Sequence, residues 1–190
     1  MIILTSYGFV SPIVSDKLRK YVKCEDKKIL IVPFAGFNRE ATAMREMHKG
    51  LIPFGFPEEN IYVCRRENFS DVKNIEFDYI YVPGGNPFKL IKEAAELGIG
   101  DWIREQVMDG VTYIGVSAGA DYCSENLSYL KLVEDDDFNL QFFEGLNFIK
   151  ENVICHVEQR DMATLQRVKN YCPEKKLLML RNDDVYVVNL

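Results

Sequence analysis

Tyr113-Ile114-Gly115-Val116-Ser117-Ala118-Gly119-Ala120-Asp121 is the stretch on which the fold turns. An apolar run enters G-x-S-x-G and small residues follow. This is the pattern of a strand, a sharp turn and the start of a helix, the glycines permitting an approach of backbones that a Cβ would block. In such an elbow the Ser117 hydroxyl projects above the end of a sheet. The next N–H, that of Ala118, lies at a helix N-terminus and points toward a developing oxyanion. The placement suits acyl transfer; the structural alternative is a serine that caps the helix.

On either side of this segment the chain alternates. Met1–Thr5, Lys28–Phe34, Ile61–Cys64, Tyr79–Pro83 and Val111–Val116 are short and almost continuously apolar, as parallel strands covered on both faces require. Residues 39–55, 87–97 and 100–109 carry helical spacing. Alternating strands and helices predict an α/β fold, a three-layer α/β/α sandwich with a mostly parallel central sheet and functional groups at the carboxyl ends of its strands. Past residue 120 further strands are expected at Leu127–Val133, Val153–Val157, Leu177–Leu180 and Val185–Val188. No linker or repeat divides the chain, so residues 1–190 are expected to form a single domain.

Composition narrows the partners. Among 190 residues, 23 basic and 29 acidic side chains leave a net charge of -6, the wrong sign for a phosphate backbone. No nucleic-acid partner is expected. No apolar run reaches the length of about 18 residues that a membrane span needs, and the N-terminus has no basic flank before an apolar segment. A cytoplasmic protein with no membrane association is expected. Five cysteines, at 24, 64, 123, 155 and 172, form no closely spaced pair, which suggests buried thiols rather than a disulfide framework or a metal site.

A second turn, Tyr81-Val82-Pro83-Gly84-Gly85-Asn86-Pro87-Phe88, also follows an apolar strand. Its N–H groups could complete an oxyanion hole while Asn86 and Pro87 begin a helix; the two roles are compatible. A serine nucleophile needs a base, and only His48 and His156 are available. His48 falls in a polar stretch near a helix end. His156 ends an apolar strand, where site residues collect, and is the stronger candidate. The carboxylate that would orient it stays open among Glu134–Asp137, Asp183 or Asp184, and Glu158. A run of acids is ordinarily a solvated loop, and Asn182-Asp183-Asp184 before Val185 is ordinarily a hairpin turn.

Together these segments resemble the dipeptidase E (peptidase E) group of serine peptidases, related to cyanophycinase and sharing the class I glutamine amidotransferase-like fold. The resemblance rests on Leu4-Thr5-Ser6, on Val82–Asn86 followed by Phe88-Lys89-Leu90, on Gly115–Ala120, on His156 with Arg160, and on Leu180–Val188. It implies that Ser117 is the nucleophile, His156 the general base, and the N–H groups of Gly85 and Ala118 the oxyanion donors. The triad acid would be Asp135, favoured within its cluster, or Asp183. Asn86 and Arg160 are the expected substrate contacts, with Arg167 an alternative cation. The chain is shorter than the family's aspartyl dipeptidases and lacks an arginine cluster that aligns with theirs, so aspartate specificity does not follow.

The expected function is cleavage of short peptides without a metal or organic cofactor, by a monomer or a homodimer. Two other readings use the same residues. An esterase of the α/β-hydrolase type would take its acid from Glu134–Asp137 and place its histidine last. A non-catalytic relative would bind a peptide or metabolite in the retained pocket. A glutamine amidotransferase would need cysteine where Ser117 stands.

Overall fold

The apolar runs of the first half form one sheet in a computed structural model that describes residues 1–189. In chain order the elements are β1 (Ile2–Thr5), α1 (Pro12–Leu18), β2 (Ile29–Ile31), α2 (Arg39–Glu46), α3 (Ile52–Phe54), β3 (Ile61–Val63), α4 (Phe69–Val72), β4 (Tyr79–Val82), α5 (Pro87–Leu97), α6 (Ile99–Met108), β5 (Thr112–Val116), α7 (Ala118–Asp121), β6 (Asn152–Ile154), α8 (Met162–Tyr171), β7 (Leu177–Met179) and β8 (Val185–Val188). A π-helical turn, Met47–Leu51, joins α2 to α3.

The main sheet has the order β3-β2-β4-β5-β1-β8. All its pairings are parallel except that of β8, which runs antiparallel to β1 with Ile3 opposite Val187. Alternate residues of each strand enter opposite cores. Ile2, Leu4, Leu30, Ile80, Val82 and Tyr113 meet Leu90, Ile91, Trp102 and Ile103 of α5 and α6. On the other face Ile3, Ile29, Ile31, Tyr81 and Ile114 meet Val14 and Leu18 of α1 together with Leu51 and Phe54. Two buried faces explain why these strands lack the polar alternation of a one-sided sheet, and they make the three-layer α/β sandwich the sequence predicts. No helix among the described residues is long and apolar enough to cross a membrane.

The second half departs from expectation. Leu127–Val133 forms no strand; Ser128–Leu132 is a 3-10 helix. Its consecutive Tyr129 and Leu130 are both buried, a pattern that a strand cannot satisfy against one core, and the Tyr129 hydroxyl donates to the Val153 carbonyl at 2.5 Å. β6 and β7 pair with each other in a separate two-stranded parallel sheet rather than extending the main one. Asn182–Asp184 is therefore no hairpin: it carries the chain from β7 in one sheet to β8 in the other, closing a turn from the Asp184 N–H to the Arg181 carbonyl. The helices α1, α4 and α8 fall where no helix is predicted. Of these α8 is opened by Asp161, whose carboxylate accepts the Thr164 N–H at 2.8 Å.

Ile80 lies at the centre of the sheet with β2 and β5 on either side and no exposed surface. Ile80→Ala should lower the unfolding free energy by about 2–5 kcal/mol, read as a lower denaturant midpoint with an unchanged slope.

Candidate active site

The elbow is held from both sides. The β1–β5 ladder continues one step past the strand as the Ser117 N–H donates to the Thr5 carbonyl at 2.9 Å, and the buried Tyr113 hydroxyl donates to the Gly119 carbonyl at 2.7 Å. Ser117 itself takes φ 51° and ψ -115°, a region that side chains other than glycine seldom occupy. Gly119 has no room for a side chain, because a Cβ there would meet the Val82 carbonyl. The capping role is not used: the Ser117 side chain makes no cap bond to α7, and its Oγ lies 3.1 Å from His156 Nε2.

His156 comes from the other sheet. In the β6–β7 register Ile154 faces Met179, so the residues that follow each strand emerge side by side. His156 Nδ1 is 3.1 Å from Asn182 Oδ1. Ser6, buried at the end of β1, joins both segments: its hydroxyl accepts the His156 N–H at 3.1 Å and donates to the Leu180 carbonyl at 3.0 Å. His156 sits in the left-handed region at φ 56°, and the Tyr7 ring meets its imidazole edge-on at 4.8 Å. Since an amide oxygen only accepts, Asn182 selects the tautomer with the proton on Nδ1 and leaves the Nε2 lone pair toward Ser117.

Asn182 thus occupies the place expected of Asp135 or Asp183, and neither carboxylate reaches the imidazole. Asp183 instead accepts the Lys17 ammonium on its main-chain carbonyl at 2.6 Å, and the Asp184 carboxylate takes the Arg181 N–H at 2.8 Å. Asp135 is exposed, and its carbonyl accepts from Asn86 Nδ2 at 3.2 Å. Glu158 holds Asn182 rather than His156, its two oxygens 3.0 and 3.2 Å from the Asn182 N–H. The chain order is Ser, His, Asn, unlike the Ser, acid, His order of an α/β-hydrolase. Spacing could not reveal Asn182, because a search for an orienting carboxylate passes over an amide beside two aspartates.

The expected substrate contacts are also engaged elsewhere. Asn86 caps α5, its Oδ1 accepting the Phe88 and Lys89 N–H groups at 2.9 Å each. Arg160 pairs with Glu134 at 2.7 Å and donates to the Cys155 and Val133 carbonyls at 3.2 and 3.3 Å. His48 is exposed in the π-helical turn. Gly85, at φ 149°, has its Cβ position filled by the Ala35 carbonyl, and the neighbouring Asn86 N–H donates to that same carbonyl at 2.9 Å. Among the described residues the Gly85 and Ala118 N–H groups have no protein acceptor. Ser117, His156, Gly84 and Gly85 share a cavity of about 350 Å³ with Tyr7, Thr42, Arg45 and Glu46. A larger hollow of about 970 Å³, between α8 and β7, contains neither Ser117 nor His156.

Two groups under the site have unusual surroundings. Burial drives the Cys155 thiol well above its ordinary value, and its Sγ lies 3.7 Å from the Ser117 carbonyl, so it remains an uncharged packing group. Asp121, in α7, is 5% exposed and one of its oxygens has no partner. Burial first, and the negative charge of Glu134 second, push its pKa up to about 8 against the pull of Arg160.

A folded-state value above that of the unfolded chain means that the folded protein holds the extra proton between about pH 4 and pH 8. Stability should therefore fall as pH rises through that window, by up to about 1.4 kcal/mol per unit, and Asp121→Asn should flatten the slope in denaturant titrations. Asn182→Ala should lower kcat roughly 100-fold through a misplaced imidazole, whereas Asp135→Ala and Asp183→Ala should leave it within a few-fold, as steady-state kinetics will show.

The model of peptidase family S51 matches residues 2–189. An uncharacterized peptidase of Listeria monocytogenes is 26% identical over 171 residues, covering 86% of this chain and 83% of that protein. The peptidase E of Nostoc sp. is 26% identical over 181 residues, 92% of this chain and 70% of that one. A crystal structure from Listeria monocytogenes EGD-e, provisionally assigned as a peptidase E, superposes with a TM-score of 0.73 at 22% identity, covering 100% of this chain and 98% of that one, and shows the shared fold. A family match running almost from end to end makes this chain a member of peptidase family S51, and a serine-type peptidase.

Proposed function

We propose that the protein hydrolyses short peptides through an acyl-enzyme on Ser117. One observation carries the reading: Ser117 Oγ, His156 Nε2, His156 Nδ1 and Asn182 Oδ1 form a chain of two 3.1 Å hydrogen bonds at the mouth of a cavity. His156 takes the serine proton as Oγ attacks the scissile carbonyl, and the Ala118 and Gly85 N–H groups receive the oxyanion. The imidazolium then protonates the leaving amine. Water, activated by the same imidazole, releases the acid product and restores Ser117.

Asn182 fits this sequence as an orienting group. Its amide fixes the ring and the tautomer but carries no charge to offset the imidazolium, so the stabilisation of that ion falls to the surrounding dipoles and solvent. The small cavity beside the serine favours peptides of a few residues over a folded protein chain.

A fluorophosphonate should label the protein at Ser117, and Ser117→Ala should abolish both labelling and hydrolysis across a dipeptide panel while the melting temperature is retained. Full turnover by Ser117→Ala would overturn the reading.

A further inference from the structure

The cavity that holds Ser117 has a built feature at its α2 end that the acyl chemistry does not use. Glu46 is the last residue of α2 and its side chain is 3% exposed. Its two oxygens are divided between two partners. Oε2 accepts the fully buried Tyr81 hydroxyl at 2.5 Å, and Oε1 accepts both Arg45 Nε at 3.0 Å and Arg45 Nη2 at 2.6 Å. Adjacent helical residues do not naturally face each other, so Arg45 has to fold back across the helix end to make this pair. The π-helical turn Met47–Leu51 follows at once, a rare conformation that gathers at functional sites.

The geometry of the pair selects its ligand. A guanidinium has two edges on which a carboxylate can sit, and Glu46 occupies the one formed by Nε and Nη2. Nη1 makes no hydrogen bond to the described residues, which leaves it and the adjacent Nη2 hydrogen open. Both residues line the cavity, but the Arg45 side chain is 51% exposed and that of Glu46 3%, so of the two charges only the cation is open. No other arginine or lysine among the described residues lines this cavity. An ammonium would find no open carboxylate here.

We propose that Arg45, held by a Glu46 that Tyr81 anchors, is a specificity-determining residue that binds a carboxylate of the peptide whose carbonyl Ser117 attacks. This rests on the reading of Ser117 as the nucleophile. The carboxylate has two sources, the peptide's C-terminus or an acidic side chain. A C-terminal carboxylate held at a fixed distance from Ser117 would limit substrate length, whereas an acidic side chain would set residue preference.

The test measures how far peptides protect Ser117 from a fluorophosphonate, and their kcat/KM. Dipeptides are compared with their C-terminal amides, and aspartyl or glutamyl peptides with their asparaginyl or glutaminyl counterparts. One of the two acid-for-amide exchanges should weaken protection and raise KM by roughly 10–100-fold, and which one does so identifies the source. Arg45→Gln should erase that preference through KM, and Arg45→Lys, which retains the charge but not the fork, should restore only part of it. Equal handling of acids and amides by the unmodified protein, or an unchanged preference in Arg45→Gln, would overturn the proposal while labelling at Ser117 still stands. If Ser117 takes no label, the nucleophile reading falls by itself, and the carboxylate site is then judged by acid-dependent thermal stabilisation that Arg45→Gln removes.

Discussion

A single buried hydroxyl joins the two halves of the site. The serine arises from the main sheet and the histidine and asparagine from the small one, and no strand pairing connects β6 or β7 to that main sheet. Ser6 closes the gap by serving the His156 N–H and the Leu180 carbonyl at once. Each bond fixes one of the strand ends that carry the imidazole and its amide partner. Buried hydroxyls that give and receive in this way are costly to remove, because two main-chain groups would lose their partner together.

Around this join the protein accepts local costs. Ser117 and His156, two side-chain-bearing residues at the reacting centre, both sit at positive φ, and Asp121 beneath them keeps an unpartnered oxygen. Strain of this kind persists only where packing over-determines it. Here the packing is the Tyr113 hydroxyl on the Gly119 carbonyl and the close contact of α7 with the end of β4. Rigidity of the elbow is therefore a product of the strand core and not of the four-residue helix that follows it.

The first half of the fold was legible because its strands are buried on both faces and announce themselves as unbroken apolar runs. The elbow and the Gly84-Gly85 turn were legible for a related reason: backbone approaches as close as those at Gly85 and Gly119 admit only glycine. The second half resisted because its elements are short and one-sided. Tyr129-Leu130 imitates a strand, and α8 has little apolar periodicity, with Val168 its one fully enclosed side chain. Asn182 was hidden by chemistry rather than by pattern. Two aspartates next to it are better candidates on charge, yet one faces Lys17 through its backbone and the other closes its own turn. Arg45 gave no local signal, since its role depends on a tyrosine 36 positions away in sequence whose hydroxyl is buried against Glu46.

Placing the base and its partner on a two-stranded ladder has a dynamic consequence. β6 and β7 are three residues each; β6 is buried in the core that α5 and α6 share, whereas β7 is partly exposed and α8 encloses one side chain, Val168. A two-stranded ladder with an exposed outer strand opens at a lower free energy than the five parallel strands of the main sheet. His156 and Asn182 would therefore depart together, leaving the nucleophile on an intact scaffold. On heating, inactivation would precede the loss of the sheet and would reverse on cooling, with hydrogen exchange in residues 152–180 as its companion.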